Sequence, residues 1–99
     1  MGGRQPRFSS RDTLLDAAPS ATLDLHGLSA LEARAAVAAF LRGRPGGAVL
    51  HVITGKGRGS AGSPVLRSMV SGMLKGELAP MVADWSLDAS DGGFRLKLR

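Results

Sequence analysis

The 99-residue chain predicts an α/β fold, a two-layer sandwich of element order β-α-β-α-β-β. It has a four-stranded mixed sheet with both helices on one face. Three observations carry this expectation. Residues 22–26 and 94–99 alternate apolar and charged side chains with a period of two, as half-buried strands do. AVLHVIT (Ala48 to Thr54) is nearly all apolar and β-branched, the pattern of a strand buried inside a sheet. Two further runs place apolar residues at helical spacing behind recognisable helix starts. Because two strands keep a charged side, helices cannot cover both faces of the sheet.

Residues 1–19 hold Gly, Pro, Ser and Arg with few apolar positions, and read as a basic, flexible N-terminal extension. The folded domain is expected over 20–99. In TLDLH (Thr22 to His26), Leu23 and Leu25 alternate with Asp24 and His26, and Gly27 ends the strand. Ser29 with Glu32 three residues later forms a capping box, and Ala33, Ala36, Val37 and Phe40 continue as a helical stripe. That helix should stop by Arg44, because Pro45 disfavours helical geometry before it. After the buried strand comes a glycine-rich loop, then Ser63 as N-cap and Pro64 as a favoured first helical residue. Val65, Leu66, Met69, Val70, Met73 and Leu74 form that helix's apolar face, and Gly72 weakens it by about 1 kcal/mol against Ala. Met81 to Leu87 puts Met81, Ala83, Trp85 and Leu87 on one side. Ser90-Asp91-Gly92-Gly93 signals a hairpin turn before FRLKLR. The exposed sheet face would carry Asp24, His26, Arg95, Lys97 and Arg99.

Composition narrows the partners. Thirteen Lys+Arg against eight Asp+Glu give a net charge of +5. All the basic residues except Lys56, Lys75 and Lys97 are arginines, whose forked guanidinium suits phosphate. This balance favours an anionic partner, nucleic acid foremost. Zero cysteine excludes disulfides, thiol catalysis and cysteine-held metals, and fits a cytoplasmic location. No apolar run approaches the ~18 residues that span a bilayer, and the first residues lack the apolar centre of a secretory signal.

The loop after Thr54 reads Gly55-Lys56-Gly57-Arg58. Successive backbone N–H groups in such a turn, close to a helix start, form a cradle for an anion, to which Lys56 and Arg58 add charge. The plainer alternative is a surface loop with solvated cations. A P-loop is excluded, since Gly57 follows Lys56 and Leu50 stands where the first glycine belongs. Gly57-x-Gly59-x-x-Gly62 matches a dinucleotide fingerprint in letters, but the helix begins after it rather than within it. Upstream, Asp24 and His26 stand two apart on a strand and share a face, about 6–7 Å apart along the backbone. Histidine exchanges protons near neutral pH, and a neighbouring carboxylate can orient it or help bind a metal. The alternative is a strand-end histidine bonded to a carbonyl, with Asp24 capping the turn. His51 reads as a buried, hydrogen-bonded residue and Trp85 as core. Asp84 and Asp88 read as surface residues, or as ligands if a divalent ion takes part.

Leu23-Asp24-Leu25-His26-Gly27, followed by Thr54-Gly55-Lys56-Gly57, resembles the paired LDxH and TGxG motifs of the Smr (small MutS-related) domain. Pro64-Val65-Leu66-Arg67 and the Gly-Gly before the last strand fit as well, so the resemblance covers roughly Thr22 to Arg99. It implies a fold like the C-terminal domain of translation initiation factor three, and association with RNA or DNA that often includes endonuclease activity. The basic ending GGFRLKLR departs from the family's more apolar one. On this reading Asp24 and His26 are the catalytic pair. Thr54, Gly55, Lys56, Gly57, Arg58, Arg95 and Lys97 would bind the phosphate or the nucleic-acid backbone. RNA is favoured over DNA, for which Mg²⁺ is the expected helper in activating water. A ribosome is among the partners this reading allows, and the expected state is a monomer. The rival readings are a non-catalytic nucleic-acid-binding module and a small-nucleotide binder.

Overall fold

The computed structural model describes residues 18–55, 63–88 and 92–99. The elements run β1 (Ala21–Asp24), α1 (Ala30–Leu41), β2 (Val49–Ile53), α2 (Ser63–Lys75), a short 3-10 turn (Ala79–Met81), β3 (Val82–Asp88) and β4 (Gly93–Leu98). The strands form one sheet in the order β1-β2-β4-β3. β1 and β2 are parallel, while β4 lies antiparallel to both β2 and β3. The expected mixed α/β architecture is therefore present.

Register decides which face meets the helices. Leu23 stands opposite Val52, Val52 opposite Phe94, Leu50 opposite Leu96, and Leu96 opposite Trp85, so these residues share one side of the sheet. Ala33, Val37 and Leu41 of α1 and Leu66, Val70, Met73 and Leu74 of α2 join that side in a single core. Each fully buried leucine or valine there stabilises the fold by about 1.5–3 kcal/mol.

The helix ends follow local chemistry. Ser29 Oγ accepts the Glu32 N–H at 3.1 Å while Glu32 Oε1 accepts the Ser29 N–H at 2.9 Å, completing the capping box. The Ser29 amide, and next the Ser29 hydroxyl, hold the Glu32 carboxyl below its usual range. α1 ends at Leu41, with Gly43 in left-handed geometry (φ +77°) and Arg44 Nε donating to the Phe40 carbonyl at 3.0 Å. Arg34 of α1 is ion-paired with Glu77 just beyond α2, tying the two helices together.

Four expectations are corrected. Val65 is exposed rather than part of the apolar face of α2. Ala83 does not share the Trp85 side, although Met81 packs against the same core as Trp85. A register shift between Val82 and Asp84 turns Val82 inward, opposite Leu98, and leaves Ala83 outside. Trp85 is only half-buried, not fully core. The polar face is also less open than expected, since His51, Ser86 and Asp88 on it are all buried. Arg95 stands between them, opposite His51 on β2 and Ser86 on β3, and its Nε lies 3.4 Å from Asp88 Oδ2. Among the described residues no helix is long and apolar enough to cross a membrane.

Candidate active site

The parallel pairing brings the two sequence motifs to neighbouring strand ends. Asp24 is the register partner of Ile53, and the Leu25 N–H continues the ladder to the Ile53 carbonyl at 2.8 Å. One residue past each of these positions stand His26 and Thr54. The strand itself stops at Asp24, so His26 does not extend it as the alternation suggested. Instead the chain turns at His26 and Gly27, the latter at φ +85°, and the Leu28 N–H closes the turn onto the Leu25 carbonyl at 3.1 Å.

One oxygen makes that turn and aims the ring. Asp24 Oδ1 accepts the His26 backbone N–H at 3.0 Å and lies 3.1 Å from His26 Nδ1. The first bond is an Asx-turn, in which a side chain stands in for backbone at a bend. The second sets the tautomer, because an ionised carboxylate only accepts; Nδ1 carries the proton and Nε2 the lone pair. The His26 backbone N–H chiefly holds the Asp24 carboxyl below its ordinary range; burial opposes it, and the His26 ring adds to the lowering. The side chains of His26 and Asp24 are 76% and 50% exposed, so Nε2 faces solvent and not the hydrophobic interior. The turn-capping and ring-orienting readings of Asp24 are both realised. They share one atom.

The β2 end is built differently. Thr54 is 1% exposed, and its hydroxyl donates to the Gly92 carbonyl at 3.0 Å. The Thr54 and Gly55 N–H groups reach the same carbonyl, each at 3.0 Å. These donors are thus directed at Gly92 rather than outward, which makes Thr54 a fastening for the loop and not its contact surface. Lys56, Gly57 and Arg58 lie outside the described residues, as do the extension with Arg4, Arg7 and Arg11 and the turn residues Ser90 and Asp91. Of the three basic residues expected on the sheet face, Lys97 and Arg99 are exposed while Arg95 is half-buried against Asp88.

The residues that sequence reasoning undervalued are Gly92 and Gly93. Gly92 adopts φ +70°, which favours glycine, and its carbonyl receives the three bonds just described. A Cβ on Gly93 would fall on the Val52 carbonyl oxygen and lie 2.9 Å from Ile53 Cα. The Gly-Gly pair was visible as a turn signal. Nothing in the letters showed that it presses against the end of β2.

Among the described residues no group of three His, Cys, Asp or Glu side chains is placed to hold a metal ion. Neither the curated proteins nor the solved structures contain a match to the chain. The family model for the Smr domain does match, over residues 23–94, a span that takes in the Asp24–His26 turn, the Thr54 loop and the Gly92-Gly93 clamp. The chain therefore belongs to the Smr family, a nucleic-acid-binding, nuclease-type module.

Proposed function

We propose that this domain is an endonuclease that cleaves RNA, or nicks structured DNA, with His26 as general acid-base and Asp24 as its orienting partner. The observation that carries the reading is the 3.1 Å bond between Asp24 Oδ1 and His26 Nδ1 at an exposed strand end, which leaves Nε2 directed to solvent. In RNA, Nε2 takes the proton of a 2′-hydroxyl as its oxygen attacks the adjacent phosphorus. The P–O5′ bond breaks, giving a 2′,3′-cyclic phosphate and a 5′-oxygen that takes a proton from water, while the His26 imidazolium returns its own to solvent. Lys56, Gly57 and Arg58 would hold the phosphate beside the Thr54-Gly55 hinge. Lys97 would support the backbone further along the sheet, with Arg95 placed mainly to order that face. For a DNA strand, which lacks the 2′-hydroxyl, the nucleophile is water, and a Mg²⁺ ion bound with the substrate would help to ionise it.

The test uses end-labelled RNA and DNA panels with and without chelator. His26→Ala should lower the cleavage rate about 10²–10⁴-fold, the range general acid-base groups contribute. Binding should stay within a few-fold. Asp24→Asn should lower the rate by less, since the ring is retained but loses its charged anchor. A wild-type protein that binds with steep salt dependence yet cuts nothing would establish the binding-module reading instead.

A further inference from the structure

A groove of about 670 Å³ runs between α2 and the edge strand β3, on the helix side of the sheet and apart from the Asp24–His26 turn. Its floor is Trp85, Leu87 and Phe94. Phe94 is buried and backs Trp85 at a ring-centroid distance of 5.7 Å, while Leu87 is 46% exposed, high for a large apolar residue on a strand. The helical wall carries Arg67 and Lys75 with Ser68, Ser71 and Gly72 between them, and among the described residues no carboxylate lines the groove. Neither cation is ion-paired with a described residue.

Gly72 is informative here. A Cβ at this position would meet nothing within 4 Å, so packing does not require glycine. Glycine inside a helix is unfavourable relative to alanine. What its bareness does is keep the wall low between the two cations, which stand eight residues apart, about 12 Å along the helix axis.

We infer that this groove is a subsite for single-stranded nucleic acid. Bases stack on the Trp85 surface and pack against Leu87, phosphates meet Arg67 and Lys75, and the serine hydroxyls bond base edges. Aromatic floor plus flanking cations is the arrangement by which proteins hold single strands without reading sequence. The groove begins at Pro64, just past the loop proposed to hold the phosphate, so a strand lying in it carries nucleotides flanking that phosphate. The inference rests on the nucleic-acid-binding reading of the domain, but not on the role of His26.

Trp85 is the only tryptophan, so its emission reports on the groove alone. The full chain carrying His26→Ala is titrated with a 12-nucleotide single-stranded oligoadenylate, the same sequence in a duplex, and a glutamate-rich 12-residue peptide. The single strand should quench Trp85 along the isotherm measured by anisotropy, and the duplex and peptide should not. Gly72→Leu, which favours the helix and fills the groove, should weaken single-strand binding about tenfold and remove the quench. The double variant Arg67→Ala/Lys75→Ala should lower the salt-dependence slope by about 1.4, at roughly 0.7 per single-strand phosphate contact. Binding without quench, or binding untouched by Gly72→Leu, overturns the subsite. Quenching by the peptide alone assigns the groove to an acidic protein and overturns it too. Cleavage by wild type with Trp85 unquenched would sink the groove and keep the nuclease; quench without cleavage would do the reverse.

Discussion

The ends of β1 and β2 lie side by side and each bears half of the family's paired motif, but their polar atoms face opposite ways. At the β1 end, Asp24 and His26 are exposed, and one carboxylate oxygen both makes a turn and aims an imidazole at solvent. At the β2 end, the Thr54 hydroxyl and the Thr54 and Gly55 amides all converge on one buried carbonyl, that of Gly92. The first end leaves its polar atoms open to solvent, and the second uses its own to hold the loop in place. Membership in a motif does not therefore specify a role. The role follows from whether a residue's donors and acceptors are satisfied inside the fold or left facing outward.

Substitutions can separate the two ends. The largest stability effect is expected at the placement end: Gly93→Ala forces a methyl onto the Val52 carbonyl, so that paired backbone must shift to admit it. It should cost about 3 kcal/mol or more, the upper range for overpacking, read as a fall in the urea midpoint. Survival with an unchanged midpoint would show that the Gly93–β2 contact is not tight. Thr54→Val keeps shape and deletes one bond to a carbonyl that retains two others. A loss of about 1 kcal/mol is expected. His26→Ala, at the exposed end, should change stability by less than about 0.5 kcal/mol despite its large effect on cleavage. If Thr54→Val instead abolished cleavage with the midpoint unmoved, the contrast between the ends would fail.

The smallest effect is electrostatic. The Asp24 carboxyl is held below its ordinary value of 3.8 in the folded chain. Its stabilising contribution is therefore complete above that value and disappears as pH falls through the lower, folded one. Asp24→Asn should remove this acid limb by lowering the neutral part of the stability curve by the limb's height, leaving the two curves together at low pH. Because the side chain is half exposed, the limb should be shallow.

Periodicity and end signals made most of the fold legible. The Ser29/Glu32 box, the apolar run of β2 and the alternation of β4 each act locally, and each appears where the letters place it. The misses arise from tertiary geometry. The β3 register shift breaks an alternation that is continuous in the sequence, and the pairing of Arg95 with Asp88 depends on a diagonal neighbour across two strands. At the site, the Asp24–His26 pair was readable because two residues of one segment make it. The Gly92 carbonyl was not, because its three donors come from 37 and 38 positions earlier in the chain, as the 38-residue separation of Thr54 and Gly92 illustrates.

The parallel ladder between β1 and β2 has one more consequence. Hydrogen-bonded registers are integral: a strand keeps its alignment or jumps by whole residues, and a one-residue jump turns every side chain to the opposite face. Which residue of β2 lies beside the Asp24–His26 turn is therefore fixed in whole residues, by the Leu25–Ile53 bond that ends the ladder. Core-damaged variants that keep the Asp24–His26 turn should therefore lose cleavage in step with their folded fraction.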